Sequence, residues 1–170
     1  MDDFQFDKKN TTESSANGEL LQLVSFRMEN EEFGVDIRNV QEINRMMEVT
    51  RVPGSPPGIE GVVNLRGKVI PVMNLRQRLG LESKEHDQRT RIMVMELSER
   101  TVGFVVDAVN EVLRIPKSTT EPPPEMDIQT RTDFIMAVGR LDDRLLILLD
   151  LEKLLNESDR ENLHLITDTV

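Results

Sequence analysis

Two histidines and one pair of adjacent carboxylates are the side chains in this sequence best suited to catalysis or metal binding. His86 lies in a charged segment and His164 near the C-terminal end, and neither stands beside an apolar repeat that would form a pocket. A zinc site needs several nitrogen or sulfur ligands, and the chain contains no cysteine. Asp142-Asp143 is more typical of a turn than of a cation site. We therefore expect neither an enzyme nor a bound cofactor or metal.

Basic residues that could bind phosphate are not grouped along the sequence. Arg66-Gly67-Lys68 has one glycine and no helix directly after it, unlike a phosphate-binding turn. The net charge is −10, and acids and bases are interspersed in residues 20–155. The chain has no tryptophan or tyrosine on which nucleic-acid bases could stack. Nucleic acid is therefore not an expected partner.

Apolar stretches in the sequence are short. The longest uninterrupted run is Leu145–Leu149, whereas a membrane-spanning helix needs roughly 20 apolar residues. The first residues lack the basic start and apolar run of a signal peptide. We therefore expect a cytoplasmic protein with no direct membrane insertion.

Polar segments at both ends frame the part of the chain that can fold. Residues 1–18 are rich in Ser, Thr, Asn and Asp, which predicts a disordered N-terminal arm. Residues 156–170 are acidic and predict a flexible C-terminal tail. Between them, residues 19–155 contain short β-rich stretches separated by turn signals.

Local signals predict particular elements within the folded region. Ile37, Val40 and Ile43 are spaced three apart, which predicts a short helix. Arg66-Gly67 lies between two apolar runs and predicts a hairpin, in which Gly67 supplies the positive φ of a tight turn. Asn74 is predicted to cap the N-terminus of a second short helix.

An internal repeat covers most of the folded region. A shift of 69 residues places residues 20–35 on residues 89–104 without a gap, and Gly34 then falls on Gly103. A shift of 76 residues places residues 68–79 on residues 144–155. The first shift also places Val40, Glu42 and Ile43 on Val109, Glu111 and Val112.

Each repeat contains about five short strands in a unit of roughly 65 residues, which buries little surface on its own. A sheet of that size is stabilised by closing on itself, because closure removes unpaired edges. We therefore predict two small β-barrels, the first at about residues 19–81 and the second at about residues 88–155. The strand exchange between them is left open by the sequence.

Several sequence motifs in both repeats are similar to the motifs of one known protein family. They are Glu32–Ile37, Val40–Ile43, Gly61–Gly67, Ile70–Val72, Asn74–Arg76, Val102–Asp107 and Asp150–Leu155. Over residues 19–155 they resemble the CheW family of chemotaxis coupling proteins. Asn74 stands where many members carry Asp, and both residues cap helices.

The resemblance implies a mainly β fold of two SH3-like five-stranded barrels that share a hydrophobic interface, with short helices. It also implies a chemotaxis adaptor without a cofactor. Such an adaptor binds the regulatory domain of the histidine kinase CheA and the cytoplasmic tip of methyl-accepting chemotaxis receptors. The protein would then be recruited from the cytoplasm to membrane-associated receptor arrays.

The resemblance further implies a set of partner-binding residues: Val40, Glu42, Gly61, Arg66, Val109 and Val112. Arg66 would present a permanent charge and five donors on an exposed turn. We expect that removing it leaves no buried group unpaired. Val40 could equally be a core residue, and packing could also account for Gly61, Val109 and Val112.

Other functions remain open from the sequence. The chain could be a CheW-like module of a kinase or of a receiver-fused signalling protein, although Met1 and the polar ends favour a free-standing protein. It could also serve a non-chemotactic pathway that controls gliding or pili. An enzyme or ligand-binding barrel would need convergent polar groups in a pocket, and the sequence does not indicate them.

Overall fold

The structure is a computed structural model that describes residues 3–5, 19–55, 58–123 and 133–155. Within these ranges, strands dominate and the helices are single turns. The strands are β1 (Asp3–Gln5), β2 (Leu20–Met28), β3 (Glu31–Asp36), β4 (Val40–Arg45), β5 (Ile59–Leu65), β6 (Lys68–Asn74), β7 (Arg91–Leu97), β8 (Arg100–Val106), β9 (Ala108–Pro116), β10 (Thr120–Glu121), β11 (Ile135–Arg140) and β12 (Leu145–Leu149). The α-helices are α1 (Leu75–Arg78) and α2 (Leu151–Leu154).

The strands form two six-stranded sheets. The first sheet has the order β1-β4-β7-β8-β6-β5, and the second has the order β10-β11-β12-β3-β2-β9. Apart from the short edge strands β1 and β10, each sheet contains five strands, in agreement with the two predicted five-stranded units. The expectation of a mainly β fold with short helices is confirmed.

Equivalent strands of the two repeats are exchanged between the sheets. In the first sheet, β6 runs parallel to β8 with Val72 opposite Gly103, and in the second, β12 runs parallel to β3 with Leu148 opposite Gly34. The 76-residue shift relates Val72 to Leu148, and the 69-residue shift relates Gly34 to Gly103. Each sheet therefore contains strands from both of the ranges 19–81 and 88–155, and this is the strand exchange that the sequence left open.

The two aligned glycines make the exchanged strands fit. A Cβ atom at Gly34 would lie 3.2 Å from Cδ2 of Leu148, and one at Gly103 would lie 3.0 Å from Cγ2 of Ile92. Protein interiors are close-packed and have little space for added atoms. Glycine at the repeated position therefore lets the side chains of neighbouring strands cover the backbone.

Three apolar clusters form the core. The largest contains side chains from both sheets, including Phe26, Val35, Met73 and Phe104. A second cluster lies between strands of the first sheet only, and a third around Leu146 lies within the second sheet. This arrangement joins the two sheets through a shared apolar interface, which burial of apolar area stabilises.

The helix predicted around Val40 is wrong beyond its first residues. A 3₁₀ turn covers Ile37–Asn39, and the chain continues as β4. The pairing of β4 with β7 shifts register between Val40 and Glu42, which marks a β-bulge. Because the bulge adds one residue, Val40 and Ile43 both face the core despite their helical spacing.

The hairpin and cap predictions are confirmed. Leu65 pairs with Lys68 across a two-residue turn, in which Arg66 has φ 52° and Gly67 has φ 85°. Positive φ at both positions is the geometry of a type I′ turn. At the start of α1, the Asn74 side chain accepts a hydrogen bond from the Gln77 backbone amide at 3.2 Å.

The prediction of a disordered arm is wrong for the three described residues of residues 1–18. Asp3–Gln5 forms β1, which pairs antiparallel with β4 and places Phe4 opposite Ile43. Without β1, the outer edge of β4 would have unpaired backbone donors and acceptors. An extended segment can form hydrogen bonds with them whatever its side chains are. The rest of the arm, the acidic tail at residues 156–170 and His164 lie outside the described residues. No helix in the described part of the chain is long and apolar enough to cross a membrane.

Candidate partner-binding site

Glu42 and Arg66, two of the predicted site residues, form an ion pair at the surface of the first sheet. Nη2 of Arg66 donates to Oε2 of Glu42. The Arg66 side chain is 59% exposed, whereas that of Glu42 is only 6% exposed. The type I′ turn positions Arg66, and the sheet positions Glu42 on β4, so residues 24 positions apart meet in the fold.

The burial of Glu42 corrects the prediction that Arg66 has no buried partner. A second hydrogen bond reaches Glu42 from Asn44, whose Nδ2 donates to Oε1 at 2.9 Å. Both residues lie on the face of β4 opposite Val40 and Ile43, because alternate residues of a strand share a face. Arg66 is therefore exposed and at the same time neutralises a buried carboxylate.

Val40 and Gly61 lie inside the molecule. The Val40 side chain is fully buried in the shared core. Gly61 lies in β5 with φ 153°, and a Cβ atom there would lie 2.2 Å from the carbonyl oxygen of Thr50. That oxygen accepts a hydrogen bond from the backbone amide of Val62, so it is held in place. Packing therefore explains the residue type at both positions.

Val109 and Val112 lie on β9 in the second sheet. Val109 is partly buried against the shared core, and Val112 is 47% exposed. The repeat equivalent of Val112 is Ile43, which is buried. The same repeat position is therefore buried in the first sheet, as Ile43, and exposed in the second sheet, as Val112.

A second acid–arginine cluster on the second sheet was not identified from the sequence. Glu32 is buried, accepts a hydrogen bond from Ser25, and pairs with Nε of Arg144 at 2.6 Å. Nη2 of Arg144 also lies 3.7 Å from Glu111, the repeat equivalent of Glu42. The repeat alignment could have suggested Glu111, but nothing local indicates Glu32.

The surroundings of Glu32 stabilise its charged form. Burial raises the pKa of Glu32, but hydrogen bonds from Ser25, Arg144 and Asn110 outweigh it. The pKa of Glu32 is therefore lower than its ordinary value of 4.5. The cluster is ionised at neutral pH and ties β2, β3 and the β11–β12 turn together.

Among the described residues, no three His, Cys, Asp or Glu side chains are grouped so that they could hold a metal ion. His86 lies beside Glu60, with Nε2 3.6 Å from Oε1. Asp143 lies in the β11–β12 turn and contacts Nη1 of Arg144 at 3.0 Å. The polar groups of these residues are engaged with neighbouring surface charges.

A family model described as a CheW-like domain matches residues 22–159. The chain belongs to the CheW-like family. The match spans both sheets and includes all of the predicted partner-binding residues. The resemblance that the sequence motifs indicated is confirmed.

Known members of the CheW-like family match most of the chain. The chemotaxis protein CheW of Klebsiella aerogenes is 39% identical over 134 residues, which cover 79% of this chain and 81% of that protein. The chemotaxis protein CheW of Bacillus subtilis is 34% identical over 141 residues, covering 82% of this chain and 90% of that protein. The crystal structure of the scaffolding protein TtCheW from Thermoanaerobacter tengcongensis matches with a TM-score of 0.75 and 33% identity, covering 83% and 96% of the two chains.

Proposed function

We propose that this CheW-like chain is a chemotaxis adaptor that couples methyl-accepting receptors to the histidine kinase CheA by protein–protein binding. The observation that carries the proposal is the match to chemotaxis proteins and to a scaffolding protein over both sheets. We assign the kinase contact to the regulatory domain of CheA and the receptor contact to the cytoplasmic tip of the receptor. The adaptor works from the cytoplasm, at membrane-associated receptor arrays, without a catalytic step or a cofactor.

The six candidate residues divide into two groups under this proposal. Glu42, Arg66 and Val112 carry contacts to partners, because Arg66 and Val112 are exposed and Glu42 holds the guanidinium of Arg66. Val40 and Gly61 act through the shape of the first sheet, since neither presents a side chain to the surface. Val109 lies on the same strand as Val112 and packs, partly buried, against the shared core.

The proposal is tested by isothermal titration of the full chain against the regulatory domain of the kinase. We expect a complex without added cofactor, and we expect Val112→Asp to weaken it about tenfold or more. A charge placed in an apolar contact is desolvated without a partner, which is costly. The matched control is Leu145→Asp, since Leu145 is an exposed apolar residue of the same sheet outside the candidate site.

Two results would contradict the proposal. The first is the lack of a complex at high micromolar concentrations of both proteins. The second is an equal loss of affinity for Val112→Asp and Leu145→Asp, which would mean that β9 has no special part in the contact. Melting temperatures of both variants serve as the folding control.

A further inference from the structure

A cleft with a basic lining lies where the two sheets meet. Arg89 and Arg91 approach it from the start of β7 in the first sheet, and Arg27 approaches it from β2 in the second. Ala108, Val109 and Asn110 of β9 complete the lining, and the cleft has a volume of about 440 Å³. Three arginines therefore line one concavity in a chain whose net charge is −10.

Two of the three arginines are carried by a turn that hydrogen bonds fix. The Asp87 side chain accepts from the Arg89 backbone amide at 2.8 Å, and the Thr90 hydroxyl accepts from the Asp87 amide at 2.9 Å. Nη1 of Arg91 donates to the carbonyl oxygens of Gln88 and Thr90, at 2.8 and 2.9 Å. The turn and the guanidinium of Arg91 are therefore held in place before any ligand arrives, which lowers the entropic cost of binding.

The arginines of the cleft are not ion-paired within the described ranges, although the Asp87 carboxylate lies in the same turn as Arg89. No described carboxylate forms an ion pair with Arg27, Arg89 or Arg91. Glu32 lies opposite Arg27 in the β2–β3 pairing, but its carboxylate is engaged by Ser25 and Arg144. The three arginines thus keep donors for a ligand that carries oxygen anions.

We infer that this cleft binds an acidic segment of a protein partner through its carboxylates. Arginine pairs with carboxylates by two parallel hydrogen bonds, and the pair is stronger than one between neutral groups. The confined size of the cleft, on a chain that is acidic elsewhere, favours a short acidic segment over the long phosphate backbone of a nucleic acid. Val109, one of the predicted partner-binding residues, also lines the cleft. The conclusion that the acidic segment belongs to a partner of the adaptor therefore rests on the proposed function.

The test measures binding of a fluorescein-labelled hexaglutamate peptide to the full chain by fluorescence anisotropy at low ionic strength. We expect Arg27→Gln and Arg89→Gln each to weaken peptide binding at least fivefold. The matched control is Arg51→Gln, which removes one exposed positive charge away from the cleft and should change the affinity less than twofold. Added salt should weaken binding to the unmodified chain, because it screens exposed charges.

Several results would overturn the inference. The first is that the peptide fails to bind below millimolar concentration. The second is that Arg51→Gln weakens binding as much as the cleft variants do, which would indicate attraction by the overall charge. Inorganic phosphate could displace the peptide at submillimolar concentration, which would identify a small-anion site. Circular dichroism melting confirms folding of each variant. Because the assay contains no kinase or receptor, its failure is distinguishable from failure of the adaptor proposal.

Discussion

Replacing Arg66 by alanine tests both the ion pair and the coupling role assigned to it. The substitution removes a side chain that is 59% exposed, so it leaves no cavity, but it also removes the partner of a carboxylate that is 6% exposed. A buried acceptor left unpaired costs about 1–3 kcal/mol. Asn44 keeps one hydrogen bond to Glu42, and water enters where Arg66 was, so we expect the lower end, about 1 kcal/mol.

The expected change in melting temperature is modest. For a chain of this length, 1 kcal/mol corresponds to roughly 2–4 °C. Glu42→Gln in the Arg66→Ala background should recover part of that loss, because a neutral amide costs less to bury than a carboxylate. Thermal melts of the two single variants and the double variant form a double-mutant cycle, which isolates the energy of the pair. Arg51→Ala, at an exposed arginine outside the pair, is the control.

Kinase activation in reconstituted receptor arrays separates stability from function. Every variant that lacks Arg66 should lose coupling, including the double variant in which stability is partly recovered. A zero coupling energy in the cycle would refute the structural argument about Glu42. Normal activation by Arg66→Ala would refute the contact role, and recovery of activation in the double variant would show that Arg66 acts only through stability.

Two further substitutions address the backbone and the second acid–arginine cluster. Gly61→Ala should lower the free energy of unfolding by about 2 kcal/mol or more, because its Cβ meets the Thr50 carbonyl. Gly54→Ala, whose Cβ would meet nothing within 4 Å, should cost less, and equal losses in urea titrations would contradict the clash. Glu32→Gln should destabilise the chain at neutral pH. The folded pKa of Glu32 is lowered, so its contribution is complete above its ordinary pKa of 4.5 and is lost as the pH falls through the lower folded value. The difference in unfolding free energy between Glu32→Gln and the unmodified chain should therefore shrink in acid, and a constant difference would rule out this linkage.

Much of the architecture followed from local patterns in the sequence. The hairpin at Arg66-Gly67 and the cap at Asn74 were predicted because turns and caps depend on a few neighbouring residues. The repeat was visible because each unit carries the same order of apolar residues and glycines. The helix expected at Val40 failed because a bulge in a strand also places residues three apart on one face.

The candidate site was predicted only as a set of residues. The resemblance to a family named six positions together, and apart from the exposed turn at Arg66 it left open which of them are core residues and which are contact residues. Burial depends on which strands cover a residue, and that is decided by contacts between distant segments. The prediction for Arg66 therefore identified its exposure and missed the carboxylate beneath it.

By itself, the sequence determined where most strands and turns form, that one unit occurs twice, and which family the motifs resemble. Those features depend on propensities and spacings within a few residues. Only the tertiary structure decided that the repeats exchange strands, that Glu42 meets Arg66, and that Arg27 shares a cleft with Arg89. Each of these joins segments far apart along the chain, and strand pairing with core packing selects which segments meet.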